Sequence, residues 1–186
     1  MIKRATHSKI EADNQIEMEN TTGSRIFLLS PAYASDKRAR MILSDRAEFE
    51  LARKLRCKNG APIAEVFAFL SGLYFRGKIA YATVFARPVP GIPGVSVITP
   101  TRGLVDARTR IRLDDLREFA TVDIQNDDPR YRAPIERDAR VLAEKLPRRS
   151  EIILLGSIAT GKYVKFCLRV LATGSAFPLT SSVAAT

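Results

Sequence analysis

The hydrophobic pattern of the chain contains three short runs of nearly unbroken apolar residues. They lie at residues 25–30, 95–99 and 151–155. Continuous apolar runs of this length are typical of strands buried on both faces of a parallel sheet. Between the runs, apolar residues recur at helical spacing. Strands that alternate with helices predict an α/β fold, with a small, mostly parallel sheet that carries helices on both faces in a single domain.

Helix boundaries are predicted from capping residues and from the order of charges. Ser44 is a typical N-cap, with acidic residues soon after it and basic residues later, and Gly60 is a typical end. Pro62 suits the first position of the next helix. The predicted helices span 44–60, 62–88 with a polar turn at 70–74, about 115–120, 135–146, and a last segment from about Tyr163.

The chain divides into three segments by composition. Residues 1–24 are polar and aperiodic, which predicts a disordered N-terminal segment, and 25–169 form the α/β domain. Residues 170–186 contain no charged residue, although 27% of the whole chain is charged. This atypical tail has two open interpretations, a shifted reading frame after Tyr163 or a natural, flexible C-terminus.

Net charge is +10, and it is unevenly distributed. Residues 1–24 sum to −1 and residues 170–186 to zero, so the segment 25–169 carries +11. A field of this sign attracts polyanions such as nucleic acid. The alternative is that most of these cations are solvated positions on helix faces.

Several function classes are excluded or disfavoured by composition. His7, in the polar N-terminal segment, is the single histidine, which removes Ser-His-Asp and Cys-His catalysis. Cys57 and Cys167 match no metal-ligand spacing, so no metal site is predicted. The sequence has no apolar run long enough to span a membrane and no signal-peptide pattern near its start. These features predict a cytoplasmic protein with free thiols.

Each predicted strand leads into a loop with hydroxyl groups, glycines and basic residues. Because parallel strands end at the same sheet edge, Lys37, Arg102 and Lys162 are expected to converge there. Such a cluster favours an anionic ligand, a nucleotide or another phosphorylated small molecule. The alternative is a set of tight turns with exposed basic side chains. The candidate ligand-binding residues are Ser30, Tyr33, Lys37, Thr99, Arg102, Gly156, Ser157, Thr160, Gly161, Lys162 and Tyr163.

Two local motifs bear on this site. Residues 156–162 have the spacing G-x-x-x-x-G-K of a phosphate-binding loop. Tyr163, however, stands where a nucleoside triphosphatase needs Ser or Thr for magnesium, which argues against triphosphate hydrolysis. The turn at 70–74 either places Ser71 and Tyr74 at the pocket or is a helix–helix corner.

Four stretches of the sequence resemble known bacterial proteins. Ser30-Pro31-Ala32 and the sequence Leu-Ser-Gly-Leu-Tyr at 70–74 resemble the peroxide-stress protein family. The run from Leu73 to Leu104 also resembles a bacterial domain of unknown function. The longest motif, Leu-Leu-Gly-Ser-Ile-Ala-Thr-Gly-Lys-Tyr-Val at 154–164, resembles an uncharacterised bacterial α/β group. Likeness to the peroxide-stress family implies DNA binding and protection from oxidative damage. Tyr33 stands where that family has lysine.

Three hypotheses of function follow. The first is that the chain binds a nucleotide or nucleic acid at the carboxyl edge of its sheet. The second is an enzyme that processes nucleosides or nucleobases, with Asp36 or Tyr163 assisting proton transfer. The third is a non-catalytic accessory protein. Aromatic residues beside basic ones would favour the first, and a buried carboxylate in a deep pocket would favour the second.

Overall fold

The computed structural model describes residues 23–124, 128–147 and 149–156, together with the backbone of Leu179–Thr180. All three predicted strands are present: β1 (Arg25–Leu29), β3 (Val95–Thr99) and β6 (Glu151–Leu155). A further short strand, β2 (Ala61–Pro62), lies between β1 and β3 in the chain. β1 lies in the centre and pairs in parallel with β3 on one side and β6 on the other. The predicted parallel arrangement is therefore confirmed.

Four short strands were not predicted. β4 (Gly103–Asp106) turns back from β3 and forms an antiparallel edge, so the sheet order is β4-β3-β1-β6-β7. β7 (Leu179–Thr180) pairs in parallel with β6 and comes from the uncharged tail. β2 pairs with β5 (Arg110–Ile111) in a separate antiparallel ribbon. Strands of two residues carry no periodicity, so the hydrophobic pattern cannot indicate them.

Six helices occur in the described ranges. They are α1 (Lys37–Leu43), α2 (Glu50–Arg56), α3 (Ile63–Ser71), α4 (Leu73–Phe85), α5 (Leu113–Phe119) and α6 (Pro129–Lys145). The prediction that Ser44 begins a helix is wrong, because Ser44 ends α1 and its N–H donates to the carbonyl of Arg40. The next helix, α2, starts only at Glu50. A serine suits either end of a helix in sequence terms, and the charge order around it did not separate the two.

Alternation along the central strand divides the core into two clusters. Phe27 and Leu29 of β1 point to the face covered by α1 to α5, whereas Ile26 and Leu28 point to the face covered by α6. All four side chains are fully buried. Helices on both faces of one mostly parallel sheet make this a single α/β domain, as the hydrophobic pattern predicts.

The remaining expectations fall partly outside the described residues. The structure does not describe residues 1–22, the predicted last helix from Tyr163, or most of the tail 170–186. The three-segment division therefore stays a prediction. Within the described residues, no helix combines the length and the apolar character that a membrane span needs.

Candidate ligand site at the carboxyl edge of the sheet

The parallel strands bring three predicted site residues to one edge. Ser30, Thr99 and Gly156 end or directly follow β1, β3 and β6, which are neighbours in the sheet. The N–H of Ser30 donates to the carbonyl of Leu155 at 3.0 Å, so the ladder extends to the start of the loop. This is the edge at which open α/β sheets bind ligands.

α4 carries a lysine to the same edge. The preceding corner requires Gly72, whose φ of 70° lies in the left-handed region. The turn at 70–74 is therefore a helix–helix corner, one of its two predicted interpretations. α4 then runs back along the sheet and ends at Phe85, two residues before Arg87, which pairs with Arg25 at the start of β1. Lys78 lies near the beginning of this return path.

Lys78 contacts the end of β1 directly. Its ammonium donates to the Ser30 hydroxyl at 2.5 Å, and it lies 4.4 Å from the ring centre of Tyr74 and 5.5 Å from that of Phe75. Among the described residues, no carboxylate pairs with it. Burial lowers the pKa of Lys78 to about 8, because partial removal from water disfavours the charged form.

Tyr74 gives the edge an exposed aromatic surface. It is 52% exposed, although its ring lies beside the Lys78 ammonium. A cation next to an accessible ring suits a ligand with both a planar group and an anionic group. The corner interpretation of residues 70–74 is confirmed, and Tyr74 lies beside Lys78. A role of Ser71 and Tyr74 in ligand binding stays a prediction.

Arg102 reaches this edge, but its charge is compensated. Its guanidinium forms ion pairs with Glu118 and, at 2.7 Å, with Asp115, and it lies 5.5 Å from the ring centre of Phe119. The hydrogen bond to Glu118 is the main cause that raises the pKa of Arg102. The same bond lowers the pKa of Glu118. Two carboxylates hold this side chain to α5, which leaves less charge for a ligand.

Thr99 is used by the turn between β3 and β4. Its buried hydroxyl donates to the carbonyl of Gly103 at 3.1 Å and accepts from the N–H of Arg102 at 3.0 Å. These two bonds satisfy the hydroxyl locally. Thr99 therefore shapes the edge from within rather than offering a free polar group to it.

The other predicted residues divide between exposed positions and undescribed ones. Lys37 begins α1, is exposed and makes no ion pair with any described residue, and Tyr33 is 45% exposed in the loop before it. Gly156 is buried at the end of β6. Residues 157–163, which hold Ser157, Thr160, Gly161, Lys162 and Tyr163, lie outside the described residues. Their convergence with Lys37 stays a prediction.

Sequence reasoning missed Lys78, although a signal for it exists. Residues 74, 78, 81 and 85 recur at helical spacing along α4, and Lys78 stands between Tyr74, Tyr81 and Phe85. The rings of Tyr81 and Phe85 lie 4.6 Å apart, and Tyr81 also contacts Phe27 of β1 edge-on. A single lysine on an otherwise aromatic helix face is the sequence pattern that indicates a partly buried cation.

Two other cations, Arg56 and Arg110, are held in place by a different arrangement. The guanidinium of Arg110 donates to the carbonyls of Asn59 and Gly60 at 2.7 and 2.8 Å. Arg56 donates to the carbonyls of Ser44 and Ala52 at 2.7 and 2.8 Å. Neither arginine has a carboxylate partner in the part of the chain that the structure describes. Backbone carbonyls fix these side chains without neutralising them, and both lie near the ribbon of β2 and β5.

The described residues contain no cluster of three or more His, Cys, Asp or Glu side chains that could hold a metal ion. No protein-family model matches the chain, and comparison with curated proteins and with solved structures finds no significant match. The geometry of the edge is therefore the basis for assigning a function.

Proposed function

We propose that this protein binds a nucleotide, free or as part of a nucleic-acid strand, at the carboxyl edge of its sheet. The observation that carries the proposal is Lys78, an ammonium group held at the end of β1 by Ser30 with no carboxylate partner in the described structure. Phosphate oxygens would supply the missing negative partner. Charge-assisted bonds of this kind are about twice as strong as neutral ones.

Tyr74 supplies the second half of the recognition. Its exposed ring would stack against a base while the neighbouring Lys78 contacts the phosphate. Stacking of a base on an aromatic side chain contributes about 1–3 kcal/mol and tolerates any base. The arrangement favours binding of nucleotides as a class over recognition of one sequence.

The wider charge distribution supports a polyanionic partner. The segment 25–169 carries +11, and in the described structure no carboxylate compensates the charges of Arg56 and Arg110. Long-range attraction by such a surface raises the rate of encounter with nucleic acid. Lys78 would then fix the nucleotide that reaches the edge.

The test is a titration with adenosine monophosphate and with a short single-stranded oligonucleotide. Lys78→Met should weaken both affinities about tenfold or more, which corresponds to roughly 1.4 kcal/mol. Lys145→Met is the matched control, since Lys145 is an exposed lysine at the end of α6 on the opposite face of the sheet. The affinity of Lys145→Met for both ligands should equal that of the wild type. Equal binding by Lys78→Met and wild type would refute the proposed site.

A further inference from the structure

The pair formed by Ser30 and Lys78 has a geometry that binding alone does not require. The lysine nitrogen lies 2.5 Å from the serine oxygen, and the two residues are 48 positions apart in the chain. A hydroxyl within hydrogen-bond reach of a basic side chain is the arrangement of an activated nucleophile. Lysine replaces histidine as the base in some serine enzymes.

We propose that Ser30 is a nucleophile and Lys78 its general base in acyl transfer from an ester substrate. The inference shares its edge with the proposed function and assumes that ligands enter there. It assigns an activity to the same residues rather than a second site. Among the described residues, Lys78 is the basic side chain within hydrogen-bond distance of the Ser30 hydroxyl.

The surroundings of Lys78 bring its pKa closer to neutral pH. Burial is the cause that lowers its pKa to about 8. The ionisable residues closest in the chain to the pair are Tyr74, Arg76 and Tyr81 on α4, and Arg25 and Tyr33 on either side of Ser30. None of these residues contributes to the pKa shift of Lys78. A base with a pKa near the working pH is the most effective.

The reaction balances without a further cofactor. Neutral Lys78 takes the proton of the Ser30 hydroxyl as the oxygen attacks the ester carbonyl carbon. The tetrahedral intermediate collapses, the bond to the leaving alcohol breaks, and Lys78 returns its proton to that alcohol. Water then attacks the acyl-serine with Lys78 again as base. Its attack releases a carboxylic acid and restores Ser30.

The backbone after Ser30 offers one candidate donor for the developing oxyanion. Pro31 has no N–H, so the first amide after the nucleophile belongs to Ala32. The N–H of Ala32 donates to no acceptor among the described residues. An uncommitted amide two positions from the nucleophile is the kind of donor that stabilises a tetrahedral intermediate.

The test measures release of nitrophenolate from p-nitrophenyl acetate by the full chain, with peptide mapping of the acetyl group. Wild type should release nitrophenolate roughly a hundredfold faster than Ser30→Ala or Lys78→Arg, since positioned general bases contribute about 10²–10⁴-fold. The wild-type rate should rise with pH through about 8. Acetylation of exposed Lys145 measures the unspecific reaction of the ester with surface amines.

Two outcomes would overturn the inference. They are release by Ser30→Ala at the wild-type rate, and acetylation of the Lys78 amine in place of the Ser30 oxygen. The two proposals fail separately. Lys78→Arg keeps the positive charge and should retain most of the affinity for adenosine monophosphate while it loses the esterase activity. Nucleotide binding without esterase activity would refute only the role of Ser30 as nucleophile. Esterase activity without nucleotide binding would refute only the proposed nucleotide-binding function.

Discussion

Gly103 lies directly against Asp138, at the point where α6 crosses the start of β4. The N–H of Leu104 donates to the Asp138 carboxylate at 2.9 Å, which ties the edge strand to the helix. Gly103 has a φ of 69°, and a Cβ at this position would lie 2.6 Å from the carbonyl oxygen of Pro134. Both the backbone conformation and the space therefore require glycine.

Gly103→Ala should destabilise the protein by about 2 kcal/mol or more, because it combines an unfavourable φ with overlap against backbone. Gly77→Ala is the control. Gly77 is inside α4, and a Cβ there meets no atom within 4 Å. Since alanine favours helix over glycine by about 1 kcal/mol, this variant should be equally stable or more so. Urea unfolding compares them, and equal stability of the two variants would contradict the close approach.

Arg102→Ala should lower the free energy of unfolding at neutral pH by about 1 kcal/mol, since it breaks a partly exposed network of two ion pairs. It should change nucleotide affinity less than Lys78→Met does, because Glu118 and Asp115 already compensate its charge. Thermal unfolding and titration of the same two variants separate the roles. A larger loss of affinity in Arg102→Ala would show that Arg102 is the ligand cation.

The contribution of the Arg102 network should also depend on pH. The hydrogen bond from Arg102 lowers the pKa of Glu118. Burial raises the pKa of Asp115, but hydrogen bonds from the Arg112 N–H and from Arg102 outweigh it and lower that pKa overall. Groups with a lowered folded pKa stabilise above their ordinary values, here 4.5 and 3.8, and lose this effect as pH falls. The stability difference between wild type and Arg102→Ala should shrink below about pH 4. A difference that stayed constant down to pH 2 would argue against the ion pairs.

Lys78 should make stability depend on pH in the alkaline range. Its pKa is lowered from 10.5 to about 8, so between these values the unfolded chain binds more protons than the folded one. Stability therefore rises with pH across that window, relative to a variant without the group. Urea unfolding of wild type and Lys78→Met at pH 7 and pH 10 measures the effect. The wild type should gain on the variant at pH 10, and an unchanged difference would mean that Lys78 is not desolvated.

Arg110 and Arg108 form a matched pair for testing nucleic-acid binding. Arg110 is anchored by carbonyls, whereas Arg108, two positions earlier, pairs with Asp106 at 2.9 Å. Arg110→Gln should reduce the slope of log affinity against log salt by about 0.7 for a single-stranded oligonucleotide. Arg108→Gln removes the same formal charge and should leave that slope nearly unchanged. Equal slopes for both variants would show that total charge, and not the carbonyl-anchored arginines, governs binding.

Local patterns in the sequence determined the framework of this protein. Apolar runs predicted β1, β3 and β6, and their separation by helical segments predicted the parallel sheet with helices on both faces. Both signals depend on residues close together in the chain, so they can be recognised without knowledge of the fold. Because parallel strands end together, the sequence also determined that Ser30 and Thr99 share one edge.

Only the tertiary structure decided how the polar groups at that edge are paired. Arg102 was an expected ligand cation, yet α5 brings Glu118 and Asp115 to it from 16 and 13 positions away. Our prediction from the sequence does not distinguish Lys78 from the other basic residues. The structure distinguishes it, because α4 places it beside Ser30. Whether a charge is free, compensated or partly buried depends on which groups distant in the chain lie next to it. Hydrophobic periodicity does not predict those contacts.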